Sequence, residues 1–225
     1  MKWHAIGRTN DRVMRHPADS EAWKEFDDKH VEFVFDPRNV RLGLAADGFN
    51  PYGNMSTMHS TWLVVLVPCN LPPWMCMKRS SLILSLVIPG PTSPGIAIDV
   101  YLQPLVEELR ELWDVGVESF DASSNTRFQL RATLMWTIND FPAYADIFGW
   151  STKGLLACPC CMDDTKSHYL KHDRKVCYMR HRRWLDNNHE FHEDDINFDG
   201  TKEFRVVRLN LFNHLIGFIP CQICL

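Results

Sequence analysis

Residues 42–53 read LGLAADGFNPYG and residues 134–144 read LMWTINDFPAY. Each is an apolar run that ends on an aspartate, Asp47 in the first and Asp140 in the second. Val40–Ala46 reads as a short strand, closed by Asp47-Gly48 and turned by Pro51-Tyr52-Gly53. Phe128–Ile138 reads either as a strand ending at Asn139-Asp140 or as a helix stopped before Pro142.

Between these two stretches the pattern changes twice. Thr61–Val67 and Ser81–Ile88 are runs rich in Val, Ile and Leu, expected as buried strands. PGPTSPG, residues 89–95, is a loop by composition. Ile98–Val115 then takes helical spacing: Ile98, Tyr101, Leu102, Leu105, Leu109, Leu112 and Trp113 share one face. Pro104 suits only a first turn, so the regular helix is expected from near Leu102, ending at Gly116. Phe120–Asn125 reads as a turn. Upstream, Ser20 can cap a helix running to about His30, and Pro37 ends the lead-in. Three strands, a helix and a further strand indicate an α/β fold. This order opens a ribonuclease H-like core, one α/β arrangement among several.

The net charge of -4 conceals an asymmetry. Lys171, Arg174, Lys175, Arg180, Arg182 and Arg183 face a single acid within 171–183, and residues 186–203 are strongly acidic. The basic cluster can touch phosphates, although solvated surface explains both stretches as well. The N-terminus has no apolar signal core, and Trp62–Pro68 and Leu82–Pro89 fall far short of the ~20 residues of a membrane helix. Eight cysteines are too sparse for a disulfide scaffold at this length, which points to a reducing compartment and to metal at the clustered ones.

Aspartates at strand ends suit two-metal phosphoryl transfer, in which carboxylates converge on magnesium ions ~4 Å apart. Asp47 and Asp140 are the candidates. The plain alternatives are an Asp-Gly turn for Asp47 and a helix-end aspartate for Asp140. Asp99 is a third acid, expected to cap the 98–115 helix. Cys158-x2-Cys161-x15-Cys177-x3-His181 has the spacing of a closed structural zinc site, with His168 or His172 as substitutes for the fourth ligand and Cys160 to spare. The alternative is a reduced, metal-free cysteine cluster. Cys221-x2-Cys224 lacks a partner pair and reads as incidental.

These segments, in this order, resemble the plant CACTA-type (En/Spm-like) transposases, transposase family 21. RHPADSEAWKEFD (15–27), the 36–62 stretch around Asp47, residues 88–122, LRATLMWTINDFPAYADIFGWSTKGLLACPCC (130–161), CYMRHRRWL (177–185) and FDGTKEFR (198–205) carry the likeness. The resemblance spans about residues 1–205. It implies an incomplete RNase H-like core with a cysteine-rich, zinc-binding insertion and an Asp, Asp, Glu triad for Mg2+ or Mn2+. By position Asp47 is similar to the first metal aspartate and Asp140 to the second; Cys158, Cys161 and His181 match the insertion. The family's glutamate lies in a segment of the type HNLDVMHIEKN, which has no counterpart here; Glu190, Glu193 and Glu203 fall too early. VVRLNLFNHLIGFIPCQICL reads as an aberrant terminus.

The expected organisation is a helical lead-in (1–37), a partial core (38–150), the cysteine/histidine insertion (151–185) and an acidic segment with the tail (186–225). The expected function is that of a transposase fragment without activity of its own. Its complete relatives cut and join DNA at element ends in the nucleus. The alternatives are a non-enzymatic, zinc-stabilised DNA- or protein-binding module and an unfolded gene remnant. Self-association through uncovered sheet surface is a further expectation.

Overall fold

The computed structural model describes residues 1–9, 11, 13–53, 58–158, 165–178, 185 and 188–196. The chain opens with α1 (Trp3–Ile6), a single 3-10 turn at Pro17–Asp19, α2 (Glu21–Lys29) and α3 (Val31–Val34). The Ser20 hydroxyl accepts the backbone N–H of Trp23 and so caps α2, as its sequence position predicts.

The central sheet is formed by β1 (Val40–Phe49), β2 (Thr61–Pro68), β3 (Ile83–Ile88) and β6 (Ala132–Ile138), in the order β3-β2-β1-β6. The short helix α4 (Pro73–Cys76) joins β2 to β3. β1, β2 and β3 pair antiparallel, whereas β6 lies parallel to β1. A parallel neighbour requires a long crossover. Here α5 (Ile98–Asp114) and a hairpin, β4 (Val117–Asp121) with β5 (Thr126–Leu130), supply it. α6 (Phe141–Phe148) follows β6, and a second hairpin, β7 (Ser167–Leu170) with β8 (Lys175–Tyr178), lies further on. The fold is therefore mixed α/β. Among the described residues no helix is long and apolar enough to cross a membrane.

β1 is central and buried on both faces, as its near-continuous apolar run requires. Val40, Leu42, Leu44 and Ala46 meet Val64, Leu66 and Leu105, with Leu102, Leu109 and Leu112 of α5 closing over them. On the other face Arg41 is 1% exposed. The N-terminal helices cover it: its guanidinium lies over Trp23 at 4.6 Å and Phe33 at 5.2 Å and donates to Asp27 at 2.6 Å. The two buried asparagines at the foot of β1 complete the frame. Asn70 accepts from Arg41 N and donates to Asn39 O, both at 2.7 Å, while Asn39 accepts from Arg131 N at 2.8 Å.

Five expectations change. α5 starts at Ile98, so Pro104 lies inside it; Pro104 and Val100, whose carbonyl loses its usual donor, are both on the exposed face. Asp99 therefore occupies the first turn and makes no capping bond; the cap position is Ala97. Phe120–Asn125 is not only a turn, because Phe120 and Asp121 belong to β4 and the turn is Ala122–Asn125, with Asn125 at φ 53°. Phe128–Ile138 is strand, but split at Arg131 between two sheets. Finally β3 is an edge strand, not a buried one, and leaves Ile83, Leu84 and Val87 exposed. Gly116 does end α5, at φ 79°, with its N–H donating to Glu111 O.

Candidate functional site

Asp47 and Asp140 stand at the C-terminal ends of adjacent parallel strands. The register runs Val40↔Ala132, Arg41↔Thr133 and Leu42↔Leu134, then resumes at Gly43↔Trp136 and continues to Ala45↔Ile138. Met135 is the extra residue of a β-bulge. Side chains alternate along a strand, so one inserted residue reverses the face of everything after it. Before the bulge Leu134 faces the α5 core; after it, Trp136 lies beside Gly43 on the opposite face. Continuing the register two residues past Ala45↔Ile138 sets Asp140 beside Asp47, in the same phase. Without the bulge Asp140 would fall in phase with Leu134, on the side of the core.

Both aspartates are exposed, and they lie beyond the part of the face that the N-terminal helices cover. The Asp47 carboxylate accepts from Gly48 N at 2.7 Å. Asp140 is the N-cap of α6 and accepts from Ala143 N at 2.9 Å through Oδ1. Pro142 does not stop a helix. It sits in the first turn of α6, where its missing N–H would have no partner in any case. The plain alternative holds for Asp140, which begins a helix. It does not hold for Asp47: β1 runs on to Phe49, and Asp47 and Gly48 pair with Leu63 and Trp62 instead of forming a turn. What the sequence could not supply is that the two strand ends are neighbours, in matching phase.

Directly before Asp140 stands Asn139, which drew notice in the sequence only as the end of a strand. Its Oδ1 accepts from Ala46 N at 3.3 Å, and its Nδ2 is buried without an acceptor among the described residues. A polar residue directly before Asp140 at a strand end was the available signal.

Two acidic ligands of hard oxygen suit Mg2+ or Mn2+ in kind. They do not complete a site: among the described residues no three His, Cys, Asp or Glu side chains are grouped to hold a metal. Asp99, on the first turn of α5, is exposed and makes no capping bond.

The cysteine/histidine segment is described in part. Cys177 stands directly across the β7–β8 ladder from His168. The hairpin touches the preceding segment, where Tyr178 Oη donates to Gly154 O at 2.7 Å and Thr165 Oγ1 to Cys158 O at 3.5 Å. Cys161 and His181 lie outside the described residues. Lys171, Arg174 and Lys175 are exposed at the hairpin turn, where Arg174 takes φ 52°. Arg180, Arg182 and Arg183 also lie outside the described residues.

Comparison with curated proteins and with solved structures gives no match. The family described as transposase family tnp2 matches residues 11–216, a span that takes in both aspartates, the bulged strand and the cysteine/histidine segment. A match of that extent settles an ancestry that two carboxylates alone could not, and the chain belongs to transposase family tnp2.

Proposed function

We propose that this chain carries ribonuclease H-like catalytic-core structure of a CACTA-type DNA transposase, with Asp47 and Asp140 as two of its metal-binding carboxylates. The observation that supports this is the bulged β1–β6 register, paired as far as Ala45↔Ile138, whose phase, continued past that pair, brings Asp47 and Asp140 to one face. The mixed sheet of order β3-β2-β1-β6, antiparallel except for β6, supports that reading. Bound there, Mg2+ or Mn2+ would supply an activated oxygen nucleophile and stabilise the leaving oxygen. The chain's own part is to hold the two carboxylates on rigid strand ends. Exposed Lys171, Arg174 and Lys175 offer weak, sequence-independent contacts to the DNA backbone. Nuclear location follows from such a role.

Two carboxylates hold a divalent ion weakly and do not surround a phosphoryl group. The 225-residue chain alone is therefore expected to nick supercoiled DNA no faster than an Asp47→Ala control in Mg2+ or Mn2+. Its amides near residues 47 and 140 should nevertheless broaden with Mn2+, and Asp47→Asn should suppress this. Mn2+ broadening indifferent to Asp47→Asn would remove the site; Asp47-dependent nicking would keep the site and overturn the inactivity.

A second function, a zinc-stabilised binding module, is favoured by one observation: Cys177 and His168 face each other across β7–β8. About one zinc per chain is expected by elemental analysis. It should be lost in Cys158→Ser/Cys161→Ser.

A further inference from the structure

We propose that Asn139 is the positioning residue of the Asp47–Asp140 pair, an inference that rests on those two aspartates being the metal carboxylates. The backbone pairing of β1 with β6 ends at Ala45↔Ile138. One residue later, the N–H of Ala46 is taken by a side chain instead, the Oδ1 of Asn139 at 3.3 Å. The amide oxygen stands in for a backbone carbonyl and adds one more tie between the strands. That tie lies immediately before Asp47 on one strand and immediately before Asp140 on the other.

The orientation of the amide is fixed by chemistry. Ala46 N–H is a donor, so the atom that meets it must be the oxygen. The remaining arm is then a donor, and Nδ2 is buried with no acceptor among the described residues. A buried, half-satisfied amide is costly unless its position serves something else. Neither neighbour can do its work: Asp47 turns its carboxylate onto Gly48 N, and Asp140 commits Oδ1 to Ala143 N at the start of α6. Each aspartate is thus tied locally to its own strand end. Asn139 ties the two ends to each other and so sets the carboxylate separation.

The test uses the full chain, isotope-labelled, with Mn2+ as the probe. Two readouts are followed by NMR: the exchange rate of the Ala46 amide, and the Mn2+ concentration that half-broadens amides at 47–49 and 140–143. If the wild type shows no such broadening, or Asp47→Asn leaves it intact, the carboxylate pair itself fails, and the role of Asn139 falls with it. If the broadening is present and depends on Asp47, Asn139→Ala should raise the half-broadening concentration about tenfold, the scale on which residues that orient metal ligands act. It should also speed exchange at Ala46. Asn139→Asp keeps an acceptor of the same shape and should restore slow exchange. Leu109→Ala, which thins the core under α5 far from the aspartates, should leave the Mn2+ response unchanged and so separates positioning from lost stability. A folded Asn139→Ala chain with wild-type Mn2+ response would overturn the proposal. Should that variant not fold, Asn139→Gln, which displaces the amide oxygen by one methylene, is judged by the same two readouts.

Discussion

Asp140 serves two purposes with one carboxylate: Oδ1 caps α6, and the residue stands in phase with Asp47. Two substitutions separate these. Asp140→Asn keeps a capping oxygen and should alter the unfolding free energy by less than about 0.5 kcal/mol, whereas Asp140→Ala should cost about 1 kcal/mol. Both should abolish the Mn2+ response. Urea unfolding beside the Mn2+ titration checks the pair. Arg41 presents a different problem, a buried cation packed among Trp23, Phe26 and Phe33 and answered by Asp27. Removing the acid strands the charge, so Asp27→Ala should cost about 3 kcal/mol, and the apolar replacement Arg41→Met less. The reverse ranking in urea melts would show that the ion pair is not what holds α2 to the sheet. His4 sits at 3.3 Å from the same guanidinium. Burial first, and the Arg41 charge second, lower its pKa from 6.5 to about 4. The fold therefore holds the neutral ring, and between those values only the unfolded chain gains the proton. The contribution is complete above about pH 6.5 and is lost as pH falls toward 4. His4→Gln should flatten that part of the stability profile.

The bulge in β6 is the element that makes the site. Its support is Gly43, where a Cβ would come within 3.0 Å of Trp136 Nε1 and 3.1 Å of Cδ1. Gly43→Val should push Trp136 aside and cost about 2 kcal/mol, with a shift in tryptophan emission. An unchanged spectrum and stability would mean that the strand phase does not depend on this contact. Elements whose periodicity was strong could be read from the sequence: β1, β2, β3, α2 and the apolar stripe of α5. The β4–β5 hairpin could not, because Val117, Phe120 and most of its neighbours are exposed and no apolar alternation marks it. Nor could the bulge. Strict alternation through LMWTIND assigns Asp140 to the face of Leu134, and only the break at Met135 corrects the count. Both aspartates were thus visible as strand ends, but their matching phase was not. Asn139 was hidden for a related reason: its bond to Ala46 joins segments far apart in the chain.

At the scale of the molecule, the edge opposite β6 is the weak point. β3 has a partner only on its β2 side and shows Ile83, Leu84 and Val87 to solvent. Uncovered apolar edges pair with other copies. Leu84→Lys should lower concentration-dependent light scattering without changing the unfolding midpoint by more than about 0.5 kcal/mol; scattering that does not respond would place self-association elsewhere. The other edge matters for a different reason. Trp23 in α2 reaches Trp136 in β6, their rings 6.0 Å apart, so the first helices close over a strand made near the end of the core. During synthesis the lead-in can meet Arg41 of β1 early, but the Trp136 part of its landing surface is made only with β6. Contacts between such distant segments are slow to form. The docking of the N-terminal helices is therefore completed only with β6, and a nascent chain halted before residue 132 should hold them less firmly and be cut there sooner by proteases.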